Sequence, residues 1–364
     1  MVNKVDMKIL SCNIRFYGAD DGENSWAHRK GICAQIIEAR QPDIVCFQEM
    51  WHPQFIDLQE SLPGFASYGL MQDPAGHNPL NAIFYRQDAF KLITAGGYWL
   101  SKTPHIAGSK SWDSKGIRYA NWVRLQDNET ETEFRVINTH FDHMGWTARD
   151  EQAKLIVAES QAYPSDYRQI LVGDLNCDQT STPIDLLKRG GWQDTFETIH
   201  GSDDPGCTYH GFIGPKFEAD FGKIDWIFGR GALHVVDAKI IDDAIDARYP
   251  SDHYFVSATL IFDDIGLLAQ LPPDIAFLAE PAMRYQLWFP NDVEDFTLRW
   301  LTNEDRGKLE ILAHRLRQLP YQDLLDDFFD RFLPDKYPMK DHPELMYLQT
   351  LIFCMGEMQL LALS

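Results

Sequence analysis

A chain of 364 residues, at ~150 residues per domain, has room for one large domain with an appendage or for about two equal ones. Apolar residues at 45% and charged residues at 24% are ordinary for globular proteins and exclude collagenous, disordered and coiled-coil readings. The 33 basic and 54 acidic side chains, a formal charge of −21, count against a broad basic track along a nucleic-acid backbone, but not against an acidic pocket where a divalent cation meets a phosphate.

The apolar, β-branched runs at 7–14, 44–47, 82–85, 122–125, 134–139, 169–172, 224–228, 234–241 and 254–261 predict strands. Helices are expected between some of them. Ser25 can cap one running to about Arg40 with Ile32, Ile36 and Ile37 inward. Thr147 with Asp150 resembles a capping box for another to about Gln161, and Thr182-Pro183 opens a short one that stops at Gly190-Gly191. Several strand pairs are too close in sequence for a crossover helix, so mixed or antiparallel sheets are expected rather than a doubly wound one.

Beyond Ile261 the Asp263-Asp264-Ile265-Gly266 stretch and the Pro272-Pro273 pair read as a linker. Leucine and phenylalanine stripes at helical spacing then predict a small helical region, so the domain reading is 1–265 and 266–364. The six cysteines form no CxxC pair, the N-terminus has no secretory pattern, and the apolar stretch 351–363 is too short to span a bilayer. A cytoplasmic protein without a membrane span is the expectation; the oligomeric state stays open.

Strand ends carry the chemistry. The first run ends at Asn13, the second at Gln48-Glu49, the fifth at His140, and the sixth opens into Asp174-Leu175-Asn176. Gathered on one sheet edge, these oxygen donors suit Mg²⁺, with Mn²⁺ as an alternative, better than zinc. If the chain stays extended, Asp174 and Asn176 face the same side. Asp225 sits inside an apolar strand and needs a partner. His253, in Ser251-Asp252-His253, is the expected one, although a structural ion pair explains that motif equally well when taken alone.

Asn13, Pro42-Asp43-Ile44-Val45-Cys46-Phe47-Gln48-Glu49, Asn138-Thr139-His140, Gly173-Asp174-Leu175-Asn176, Lys223-Ile224-Asp225-Trp226-Ile227 and Ser251-Asp252-His253 occur in that order. Together the set resembles the ordered motifs of the endonuclease/exonuclease/phosphatase superfamily, over residues ~6 to ~262. The resemblance implies a four-layer α/β sandwich, two packed mixed β-sheets flanked by helices, with the site at one edge. It implies that Asn13, Glu49 and Asp252 hold the divalent metal, that Asp174 orients or deprotonates the attacking water with Asn176 beside it, and that Asp225 aligns His253 on the phosphate. His140 would stabilise charge from the other side. Some members carry an acidic residue just before the strand at 82–85; Asn81 stands there here and leaves the protonation of His140 open.

Two further stretches, Asp21 to Trp26 with Arg29, and His140 to Gly145 with Arg149, are similar to a bacterial branch of the superfamily. Asp142 and His143 lean toward the pocket over capping the next helix. Arg118 is a phosphate-contact candidate or an exposed loop arginine, and Trp26, Trp51, Trp112 and Trp146 are stacking candidates for a base or sugar that are expected, taken as a group, to be packing residues instead. The functional expectation is a Mg²⁺-dependent phosphohydrolase acting on a compact or single-stranded phosphodiester. A phosphomonoesterase is the runner-up, a 3′–5′ exonuclease is a further variant, and a non-catalytic binding module ranks behind. The charge disfavours long duplex nucleic acid.

Overall fold

Residues 6–69, 81–203, 205–219 and 221–262 are described in the computed structural model. The expected helical region 266–364, with its apolar stretch 351–363, lies outside the described residues. The first and last of the described strands pair with each other. β1 (Met7–Asn13) lies parallel to β2 (Ile44–Gln48) on one side and antiparallel to β12 (Phe255–Phe262) on the other. Adding β11 (Leu233–Ile241), β4 (Ile83–Arg86) and β3 (Phe65–Tyr68) gives the order β11-β12-β1-β2-β4-β3.

The second sheet repeats the plan, with a parallel pair of β7 (Glu133–His140) and β8 (Gln169–Asp174) at its centre. β5 (Phe90–Trp99), β6 (Tyr119–Asp127), β10 (Asp225–Arg230) and β9 (Gln193–Asp194) complete the order β5-β6-β7-β8-β10-β9. Both sheets are mixed, as the short sequence gaps required. Strands were expected at nine of these twelve places; β3, β5 and β9 were not.

Side-chain alternation divides the apolar residues among layers. Ile9, Ile44, Cys46 and Val256 from the first sheet meet Val123, Val136, Val172 and Ile227 from the second in one buried cluster between the sheets. On the outer face of the first sheet, Leu10, Val45, Phe47 and Phe255 pack under α1 (Trp26–Arg40) and α2 (His52–Ser61). On the outer face of the second, Ile137, Leu171, Trp226 and Phe228 pack under α3 (Trp146–Gln161) and α4 (Thr182–Arg189). The short α5 (Thr195–His200) follows β9. Helix, sheet, sheet and helix make the four-layer α/β sandwich.

Two helix starts differ from the sequence reading. Ser25 stands at the N-cap of α1 without a side-chain bond. The cap of α3 is non-local: Asp113 accepts from the backbone N–H of Ala148 at 2.7 Å and of Thr147 at 3.3 Å, so the Thr147/Asp150 capping box does not form.

At the site edge, β8 passes unusually close to β7. A Cβ on Gly173 would overlap the carbonyl of Thr139, a backbone atom that cannot move without parting the strands. Gly173→Ala is expected to lower stability by about 1–3 kcal/mol or more, read from urea unfolding, with activity falling alongside. Wild-type stability in that variant would show that the strands can separate freely.

Candidate active site

The registers bring the strand ends together. Asn13 lies opposite Gln48 in the β1/β2 pair, His140 opposite Asp174 in β7/β8, and Asp225 opposite Asp174 in β8/β10. A polar seam then ties the two sheets beneath the site. Gln48 donates to Asn138 Oδ1 at 2.7 Å, and Asn138 donates to the carbonyls of Phe47 and Ala82 at 2.8 and 2.9 Å. Gln48, Asn138 and Asn13 are all buried, so each bond also satisfies a group that would be costly to leave unpaired.

Above the seam opens a cavity of about 510 Å³ lined by Glu49, Arg118, His140, His143, Asp174, Asn176, Asp252 and His253, together with Arg15, Phe16, Tyr209, Phe221 and Ile224. Asp174 is its centre. Its Oδ2 accepts from Asn13 Nδ2 at 2.9 Å and lies 3.6 Å from His140 Nε2 and 3.9 Å from His253 Nε2. Its Oδ1 accepts from the backbone N–H of Asn176 at 2.9 Å. Asn176 therefore shares the cavity through a turn with φ of 49°, not through an extended chain. Its amide donates to the carbonyl of Phe141 at 3.1 Å.

The Asp225 and His253 side chains meet at 2.9 Å through Oδ2 and Nδ1, as the buried carboxylate required. Both are buried, and the opposite charge controls the imidazole. Burial alone would lower the His253 pKa; the carboxylate of Asp225, then those of Asp174 and Asp252, overcome this and push it up to about 10. His140 moves the opposite way. Burial, with the nearby charges of Arg118, His253 and His143, holds it well below the ordinary histidine range and therefore neutral. Burial foremost, and then Asp225, raise the Asp174 carboxyl to about 7 despite the opposing hydrogen bonds.

Glu49 sits just past β2 with φ of 60°, a left-handed conformation that a non-glycine residue adopts at a cost. Asn13 Nδ2 donates to one of its oxygens at 3.3 Å and the backbone N–H of Phe16 to the other at 3.1 Å. Arg15, also left-handed, pairs with Asp21 at 3.1 Å and lies 3.7 Å from Asp252. Glu49 and Asp252 line the cavity with the Asn13 amide behind Glu49, and no sulfur atom takes part in the lining. That donor set fits a hard divalent cation. Asp174, Asp225 and His253 also bring ligand atoms within 4.8 Å of one another, but Nδ1 of His253 is already bonded to Asp225. The cavity-lining carboxylates of Glu49 and Asp252, whose oxygens keep lone pairs beyond the hydrogen bonds they accept, are the better cradle.

Arg118 is not an exposed loop arginine. It lines the cavity, its Nη2 donates to His143 Nδ1 at 3.1 Å, and its buried Nε faces the Asp142 carboxylate at 3.8 Å without a hydrogen bond. The acceptor role of Nδ1 leaves the ring proton of His143 on Nε2. Asp142, which leaned toward the pocket, turns away from it. Its Oδ2 accepts from Ser114 Oγ and the N–H groups of Lys115 and Gly116, and its Oδ1 from those of Met144 and Gly145. A buried carboxylate takes all the donors it can reach, and here they belong to two backbone turns.

The four tryptophans divide. Trp26 is buried and donates to Asp57, whereas Trp146 is 75% exposed with the Arg149 guanidinium 4.5 Å from its ring centre.

Paired sheets with carboxylates and imidazoles around one cavity edge define a phosphoester-hydrolase architecture. The chain belongs to the endonuclease/exonuclease/phosphatase family, whose model matches residues 10–253. Members hydrolyse phosphoesters, typically with a divalent metal, and this chain is an enzyme of that kind. An endonuclease/exonuclease/phosphatase family protein from Bacteroides thetaiotaomicron superposes with a TM-score of 0.65 at 31% identity, over 71% of this chain and 98% of its own. A mannosyl-6-phosphatase from the same organism gives a TM-score of 0.65 at 31% identity, over 70% of this chain and 100% of its own. Nocturnin of Drosophila melanogaster is 26% identical over 208 residues, which is 50% of this chain and 30% of that protein. Among the described residues no helix is long and apolar enough to cross a membrane.

Proposed function

We propose that this chain is a Mg²⁺-dependent phosphatase, with Mn²⁺ able to substitute, acting on a phosphomonoester of a small polar alcohol such as a sugar phosphate. The order of the two expectations is thereby reversed, the diester becoming the runner-up. The observation that carries the reading is Arg118. A monoester presents a dianion, and the half-buried Arg118 guanidinium, which lines the cavity beside the Nε2–H of His143, offers positive charge and donors for the oxygen that a diester would carry as an ester link. Similarity of 70% of this chain to the whole length of a mannosyl-6-phosphatase supports it.

In this reading Asn13, Glu49 and Asp252 hold the cation, which when bound supplies charge neutralisation on the phosphate oxygens. Asp174, with its carboxyl near 7 and its orientation fixed by Asn13 and Asn176, takes the proton of the attacking water. His253, kept protonated by Asp225, bears positive charge against the phosphoryl oxygens. His140, kept neutral, contributes a hydrogen bond from the opposite wall. The rings of Phe16, Tyr209 and Phe221 suit stacking on a base, which is the feature that keeps a diester substrate as the second reading.

A panel of hexose 6-phosphates, p-nitrophenyl phosphate, bis-p-nitrophenyl phosphate and single-stranded oligonucleotides with Mg²⁺ tests the assignment. The monoesters should lead in kcat/KM. Arg118→Met should raise KM for them by about 10–100-fold, the worth of a charge-assisted hydrogen bond, and by much less for the diester. Preferential cleavage of the diester, unaffected by Arg118→Met, would sink the proposal.

A further inference from the structure

Arg29 belongs to a stretch that the catalytic reading leaves unexplained. It lies on α1 in the Trp26, Arg29, Cys33, Ile36 series, whose members are all buried, so a charged side chain occupies a core-facing position and is only 2% exposed. Burial of that charge would ordinarily be compensated by a carboxylate. Among the described residues, Arg29 shows no ion pair within 4.0 Å; its guanidinium is used on backbone carbonyls.

Those carbonyls come from three segments. Nη1 donates to Ile14 at 3.1 Å and to Pro250 at 2.5 Å, and Nε donates to Asn24. Ile14 directly follows Asn13, and Pro250 stands two residues before Asp252. The ring of Phe212, in a left-handed conformation with φ of 64°, covers the guanidinium at 5.3 Å, while Trp26 lies at 5.5 Å. The loop that supplies Phe212 also binds the far side of Asp252: the N–H groups of His210 and Gly211 donate to the Asp252 carbonyl at 2.8 and 3.1 Å. One planar fork thus joins the exit of β1 to the entrance of β12.

We infer that Arg29 is a positioning residue for the cation site, holding the backbones of Asn13 and Asp252 in one frame. The inference rests on the reading that these residues, with Glu49, hold the cation. Lysine cannot replace the fork, because a single ammonium on a flexible stem does not span carbonyls from three segments. Loss of such outer support typically weakens metal affinity or activity about 10–100-fold.

The test uses the full chain and Mn²⁺ alone, with binding followed by the electron paramagnetic resonance of free Mn²⁺ in wild type, Arg29→Lys, Arg29→Met and Glu49→Ala. Arg29→Lys and Arg29→Met should weaken Mn²⁺ binding by about 10–100-fold, with KM for p-nitrophenyl phosphate little changed at saturating Mn²⁺. Unchanged Mn²⁺ binding in the Arg29 variants, with binding lost in Glu49→Ala, overturns the role of Arg29 and leaves the cation site standing. Unchanged binding in Glu49→Ala instead overturns the cation-site reading beneath it. If neither Arg29 variant unfolds cooperatively, Arg29 is a general structural tie and the inference fails.

Discussion

Asp174→Asn should lower kcat/KM by about 10²–10⁴-fold, the range expected when a general base is removed and its shape retained. The pH profile separates this role from simple positioning. With the carboxyl raised by burial and by Asp225, the wild-type rate should climb with pH until Asp174 is ionised and then level off, a limb that the Asp174→Asn variant should lack. Stability should move the other way. A carboxyl whose folded pKa exceeds its unfolded value binds more protons in the fold, so stability falls as pH rises between about 4 and 7. Removing the ionisable group therefore raises Tm at pH 8 in the metal-free protein. Calorimetry in EDTA and initial rates with Mg²⁺ read the two effects. Full activity in Asp174→Asn would remove the base from the mechanism.

The strand ends were readable because they are simple. Buried central strands are continuous apolar runs, and a polar residue that ends such a run stands out, as Asn13, His140 and Asp174 do. Three of the four edge strands lack that contrast. β5 carries exposed Leu92 and Ile93, a register shift and the Gly96-Gly97 pair, while β3 is half-buried throughout and β9 has two residues, so none presents a clear period.

The cavity was only partly legible for a similar reason. Arg15, Phe16, Tyr209 and Phe221 enter it from turns and loops, where no periodicity announces direction. The left-handed backbones of Arg15 and Glu49 are set by tertiary contacts. Arg15 had one available signal, its position two residues beyond Asn13. The α3 cap was hidden because Asp113 is remote in sequence from the turn it serves. A local box was visible at Thr147 and Asp150; a partner 35 residues away was not.

The largest stability effect is expected at Asp142, where sequence reading leaned toward chemistry and the carboxylate instead ties two turns together. Asp142→Asn keeps the shape but turns an amide N–H₂ toward donors already present, from the 114–116 turn or from Met144 and Gly145. Breaking a buried charged network typically costs about 3–5 kcal/mol, which for a domain of this size lowers Tm by roughly 6–20 °C. The loss should depend on pH with a definite sign. Burial works against ionisation, but hydrogen bonds from Gly116, Gly145, Met144 and Ser114 hold the folded carboxyl well below the ordinary carboxylate range. Its contribution is therefore complete above the unfolded pKa of about 4 and fades as pH falls toward the folded value, so the Tm gap between wild type and variant should narrow in acid. Activity should suffer as well, because the same carboxylate lies 3.8 Å from Arg118 Nε and organises the turns that present Arg118 and His143. The functional loss in Asp142→Asn should accordingly appear as a rise in monoester KM resembling that of Arg118→Met, with the Asp174 pH limb still present. A variant with normal Tm and normal KM would mean that the two turns hold their places without Asp142.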